Sequence, residues 1–131
     1  MADDEHKLAV VRDMIDAWNT RDWQRVTDLF AEDGTLHSMM IDPVVGRKAI
    51  GERIFAMGAG IDAITLKVAH IGLIDGLVFI ERVDDFVFKG HAGAVPVVGV
   101  IEVVGDTIRT WREYYDRAAL ISAMGLAEDF H

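Results

Sequence analysis

The segment from Leu77 to Phe88 constrains this chain more than any other. It is rich in β-branched and aromatic residues and follows an Asp75-Gly76 turn signal, so it reads as a β-strand. Side chains alternate faces along a strand, which puts Val78, Ile80, Arg82, Asp84, Phe86 and Phe88 on one face. An arginine and a carboxylate two residues apart on an otherwise apolar face are costly to bury unless they are paired. The fold must therefore enclose a charged pair, and an enclosed pair is a candidate for chemistry. The competing reading is an ion pair that only braces the sheet.

Around this strand the sequence predicts helices first and strands after. Leu8, Val11, Ile15 and Trp18 repeat at helical spacing between Glu5 and Asn19, with Met14 beside them. Asp22 is placed to cap a short second helix through Trp23, Val26 and Leu29. Phe30-Ala31-Glu32-Asp33-Gly34 reads as a turn into a short strand around Thr35–Ser38, and a third helix is expected over Lys48–Met57 after the break at Pro43. From Asp62 onward the period changes, with strands expected over 63–71, 77–88, 94–104 and 107–115 and a last helix from Arg117 to about Met124. The joins carry Asp75-Gly76, Lys89-Gly90 and Gly105-Asp106, turn chemistry that favours antiparallel hairpins. Together these elements predict one α+β domain over 1–131, a curved antiparallel or mixed sheet wrapped around helices as a cone with an internal cavity. Gly99, in the middle of the third long strand, is the kind of residue that permits a bend.

Composition narrows the function classes. Net charge is −9 with no basic patch, which argues against nucleic acid and anionic membrane surfaces as partners. The chain has no cysteine, which excludes disulfides, thiolate nucleophiles and Cys-ligated metals. His37, His70 and His91 lack the local spacing of metal ligands, and no glycine cluster precedes a helix as a phosphate loop would. Neither a signal-peptide core nor an apolar run of membrane-spanning length is present, so a cytoplasmic protein is expected.

A second constellation completes the first. In Trp111-Arg112-Glu113-Tyr114-Tyr115-Asp116, alternation groups Trp111, Glu113 and Tyr115 on one face and Arg112 with Tyr114 on the other. His70-Ile71-Gly72, Gly76-Leu77-Val78, Glu81-Arg82-Val83-Asp84, Gly99-Val100 and the Trp111–Asp116 run resemble the limonene-1,2-epoxide hydrolase family. Phe30-Ala31-Glu32-Asp33 and Gly46-Arg47 fit as well, though they recur across the cone-shaped superfamily of ketosteroid isomerases, SnoaL-like polyketide cyclases and nuclear transport factor 2. The resemblance implies an epoxide opened to a vicinal diol in one step, without cofactor, by an acid–arginine–acid unit. Arg82 matches the bridging arginine, Asp84 the general acid, and Glu113 the position of the water-activating aspartate. The family holds its water with a tyrosine and an asparagine on the first short strand. Those positions are Leu36 and Ser38 here, which leaves Ser38 as the candidate water holder, with His37 or Tyr115 nearby.

Epoxide opening needs an acid for the strained oxygen and a base for the water. Two carboxylates bridged by one arginine can divide those roles, because their surroundings push the two pKa values apart. The extra methylene of Glu113 shifts its carboxylate by more than an ångström relative to aspartate, and misplacement on that scale can cost ~100-fold in rate. Leu36, Met39, Val78, Ile80, Phe86, Val97, Trp111 and Tyr115 are the expected lining of a site for a small apolar molecule. Two other readings stand beside hydrolysis. A ketosteroid-isomerase or cyclase relative would need a carboxylate base on the first strand, where this chain has Ser38. A non-catalytic binding protein is consistent with the altered water site. Phe79, Val83, Val87, Val98, Val100 and Val104 fall on the outer sheet face, which predicts a homodimer paired sheet on sheet.

Overall fold

The hairpin turns organise the second half of the chain. In the computed structural model, which describes residues 2–127, Asp75 and Gly76 take φ values of 53° and 77°, and Lys89 and Gly90 take 47° and 83°. Both pairs are left-handed, as two-residue hairpin turns between right-twisted strands require. They join β3 (Ile61–Ile74), β4 (Leu77–Phe88) and β5 (His91–Val104), and Gly105-Asp106 leads on to β6 (Thr107–Tyr114). These four strands run antiparallel in unbroken succession. The helices are α1 (Ala2–Asn19), α2 (Trp23–Asp28), α3 (Arg47–Gly58) and α4 (Arg117–Ala123). Asp22 caps α2 as expected, accepting from the Arg25 amide at 3.1 Å.

The first strand departs from the sequence reading. Phe30-Ala31-Glu32-Asp33-Gly34 belongs to β1 (Phe30–Ser38), with a register shift between Phe30 and Thr35 that gives it its turn-like composition. A Cβ on Gly34 would lie 2.9 Å from the Ala31 carbonyl oxygen, so only glycine fits this irregular stretch. A two-residue strand, β2 (Val44–Val45), pairs with β1 where the sequence offered only a break at Pro43. The β1–β6 pairing is parallel, so the sheet is mixed, open, and ordered β2-β1-β6-β5-β4-β3.

The inner face of the sheet is divided between two packing environments. Val10, Val11, Met14, Ile15 and Ala17 of α1 pack with Val78, Ile80, Ile101, Ile108 and Trp111 in one dry core. Asn19 ties the end of α1 to the sheet, accepting from the Leu66 amide at 2.7 Å. The second cluster is Phe86, Phe88, Val95, Val97 and Met124, with Met57, Ile64, Tyr115 and Leu120 packed against it. Along β4, Val78 and Ile80 fall in the first cluster and Phe86 and Phe88 in the second. Arg82 and Asp84 lie at the junction.

On the outer face, Val83, Val98, Val104 and Tyr114 are exposed, whereas Val100 is buried at 5% relative accessibility. Glu81 and Asp85 are paired across the strands, with His70 at 2.8 Å and with Lys67. No helix among the described residues is long and apolar enough to cross a membrane.

Candidate active site

Arg82 is buried at 3% relative accessibility and anchors the site. Its Nε donates to Asp84 Oδ1 at 2.7 Å, and its Nη2 donates to Asp84 Oδ2 at 3.1 Å and to Glu113 Oε1 at 2.6 Å. The guanidinium also lies over the Trp111 ring, 5.8 Å from the centroid. Strand pairing explains how residues 31 apart in sequence meet there. β5 separates β4 from β6, and its residue at this level is Gly99, which is paired with Ile80 on one side and Glu113 on the other. A Cβ on Gly99 would lie 3.0 Å from Ile80 Cγ2 and 3.2 Å from Arg82 Nη1. Gly99 therefore clears the path by which Arg82 spans the middle strand to reach Glu113, a more specific part than the bend expected of it.

Burial works against the charge of Arg82, but Glu113 and then Asp84 outweigh it and raise the guanidinium pKa, so it stays protonated. Glu113 responds in the opposite sense. Burial pushes its carboxyl above the usual glutamate range, Arg82 only partly offsets this, and the like charge of Asp84 adds to it. Glu113 Oε2 is buried without a hydrogen-bond partner, consistent with a group that readily accepts a proton.

A cavity of about 150 Å³ opens over this unit. Its polar lining includes Arg82, Asp84, Glu113, Ser38 and Tyr115. Ser38 sits beside Glu113 because the parallel register of β1 and β6 pairs the two residues directly. The Tyr115 hydroxyl donates to Ser38 Oγ at 2.9 Å. His37 points away and bonds the Ile41 carbonyl oxygen at 3.0 Å through Nε2.

Of the expected apolar lining, Leu36, Phe86, Val97 and Tyr115 face the cavity. Val78, Ile80 and Trp111 do not, because α1 fills that half of the sheet and takes them into the dry core. Met39 lies past the end of β1 and is exposed at 37%, so it is not lining either. The sequence reading missed much of the helical wall, in particular Arg53 and Ile54 of α3, and Arg117 and Leu120 of α4 with Met124 at its C-cap. An arginine opening a short helix gives no signal of burial. Yet Arg117 is 8% exposed and donates to the Tyr115 hydroxyl.

An open mixed sheet wrapped on helices around an apolar cavity is the cone fold shared by nuclear transport factor 2-like proteins. Residues 5–125 match the limonene-1,2-epoxide hydrolase catalytic domain, and the chain belongs to that family. Solved structures resemble it over nearly their whole lengths. An LEH-like epoxide hydrolase from M. tuberculosis is 20% identical, with a TM-score of 0.81, covering 92% of this chain and 90% of the other. A Catenulispora acidiphila protein of ketosteroid isomerase-like fold, in complex with trimethylamine, is 24% identical, with a TM-score of 0.79 and coverage of 93% and 96%. A proposed polyketide cyclase from Xanthomonas campestris is 18% identical, with a TM-score of 0.83 and coverage of 93% and 98%. At these identities the structural likeness establishes the fold.

Two stability predictions follow from this geometry. Gly99→Ala pushes a methyl group against a guanidinium clamped by two carboxylates, so the neighbour cannot yield. Chemical denaturation should show a loss of about 1–3 kcal/mol. Glu113 has a raised folded-state pKa, so its contribution to stability is complete below the ordinary glutamate range and declines as pH rises through the raised value. Glu113→Gln stays neutral, so its melting temperature should gain on the wild type as pH rises through that window.

Proposed function

We propose that this protein hydrolyses a small, largely apolar epoxide to a vicinal diol by one-step acid–base catalysis. The observation that carries the reading is a single buried guanidinium, Arg82, bonded to both Asp84 and Glu113 at the floor of an apolar cavity. Membership of the epoxide hydrolase family supports it.

In this scheme water attacks a ring carbon while Glu113 takes one of its protons. The carbon–oxygen bond breaks as Asp84 delivers a proton to the departing ring oxygen. The product is a neutral diol, and the proton has moved from Asp84 to Glu113. Arg82 stays bonded to both carboxyls throughout and offsets the negative charge on whichever one is ionised. Its Nη2 donates to both acids and stays protonated, and the proton returns from Glu113 to Asp84 through water before the next turnover. Burial, which raises the pKa of Glu113, makes it a stronger proton acceptor than an ordinary glutamate. Ser38, in register with Glu113, supplies a hydroxyl to hold the water. The cavity volume of about 150 Å³ suits a compact substrate.

An isomerase of the ketosteroid type is disfavoured because Ser38 occupies the first-strand position where that chemistry needs a carboxylate. A binding protein remains the second reading, favoured by the apolar Leu36 on the cavity wall. We further propose that two chains pair through the outer sheet face, where Val83, Val98 and Tyr114 are exposed.

Diol formation from limonene, cyclohexene and styrene oxides tests the hydrolase. Asp84→Asn and Glu113→Gln should each lower turnover by ~100-fold or more, and a fully active Asp84→Asn variant would overturn the assignment of the acid. Wild-type activity should fall on acidification, with its midpoint above the ordinary glutamate range because Glu113 must be ionised to act as base. For the assembly, Val98→Glu should convert a dimer to monomer in sedimentation velocity.

A further inference from the structure

We infer that Arg117 and Tyr115 are positioning residues that fix the direction of the Ser38 hydroxyl, so that it donates a hydrogen bond to the attacking water beside Glu113. The inference rests on the hydrolase reading for what the water does, but the polarity of the chain follows from hydrogen-bond chemistry alone.

Arginine carries five donors and no acceptor. Where Arg117 meets the Tyr115 hydroxyl, the phenol oxygen must therefore accept. With its oxygen engaged by a cation, the phenol directs its own hydrogen to the remaining partner, Ser38 Oγ, at 2.9 Å. Ser38 is then itself an acceptor in that bond and keeps one hydrogen to give. A serine hydroxyl alone rotates freely and can donate or accept. Here one orientation is imposed from outside. Ser38 lines the cavity and is paired in register with Glu113, so the hydrogen it gives is presented next to the carboxylate.

This polarity suits a nucleophilic water. A water that accepts from Ser38 and donates to Glu113 has one lone pair left for the epoxide carbon, and its proton already points at the base. A serine free to accept would compete with Glu113 for that proton. Bonds to a cation are stronger than those between neutral groups, and chains of hydrogen bonds reinforce one another. The arrangement is also built rather than incidental. Asp116, between the two residues, caps α4 by accepting from the Ala119 amide at 3.0 Å. That cap sets the turn that brings Tyr115, just past the end of β6, and Arg117, at the start of α4, to the same point. Arg117 is held there in the buried state, not on the surface.

The test combines kinetics with crystallography of the full chain. Tyr115→Phe should lower kcat by ~10–100-fold with little change in KM, because it misdirects the water without altering the apolar walls. Ser38→Ala should lower kcat similarly, and the double variant should be no slower than the slower single one, since both remove one chain. Arg117→Lys, which keeps a cationic donor, should retain more activity than Arg117→Gln. Near-normal kcat in Tyr115→Phe, or multiplicative losses in the double variant, would overturn the inference. High-resolution structures supply a readout independent of turnover. The wild type should show an ordered water between Ser38 Oγ and the Glu113 carboxylate, and Tyr115→Phe should lack it. If that water is present and no epoxide is hydrolysed, the hydrolase reading fails while the donor chain stands. If the water is absent from the wild type or persists in Tyr115→Phe, the inference fails whatever the activity.

Discussion

The buried guanidinium of Arg82 is the constraint around which the rest of the structure is arranged. A cation at 3% exposure in the core of a small domain is tolerable only with close counter-charges. Two elements supply them: Asp84, two residues along the same strand face, and Glu113, two strands away. The intervening strand has glycine at the crossing point, so the arginine is not obstructed. Trp111 provides the aromatic surface under the charge. Each of these positions makes sense only because the charge is present.

The same interaction marks the division of the sheet's inner face into a packed part and a part that lines a cavity. On one side α1 packs against Val78, Ile80 and Ile101 and leaves no space. On the other side α3 and α4 stand off from Phe86, Val95 and Val97, and the space between is the cavity. Arg82, Asp84 and Glu113 lie at the boundary, with packed core on one side and the cavity on the other. Catalytic groups that are rigidly supported yet open to substrate are what positioning of reactants requires.

Much of this is legible in the sequence, for identifiable reasons. Period-two alternation puts Arg82 and Asp84 on the apolar face of one strand and Glu113 with Trp111 and Tyr115 on one face of another, and the structure agrees with both. The hairpin turns are legible because Asp75-Gly76 and Lys89-Gly90 supply residues that accept left-handed backbone. Alternation does not say which inward residues meet a helix and which meet empty space, so Val78, Ile80 and Trp111 read as lining when α1 covers them. Met39 was misread because β1 ends at Ser38. The irregular backbone of Ala31–Gly34 imitates a turn in composition although it lies within a strand. Arg117 gives no sign at all, since its burial depends on how α4 docks, a tertiary fact absent from local pattern.

That docking has a consequence for the dynamics of the molecule. α4 is seven residues long, and among the contacts that hold it are its Asp116 cap, the packing of Leu120 and Met124, and the bond from Arg117 to Tyr115. Short helices with few anchoring contacts can open locally at free energies well below that of global unfolding. Opening α4 would remove part of the cavity wall and, at the same moment, detach Arg117 from the Tyr115 hydroxyl. Access to the interior and order within it are therefore coupled through one small element. Amide exchange in Leu120–Ala123 should report on both, rising well before the exchange of β4 and β5.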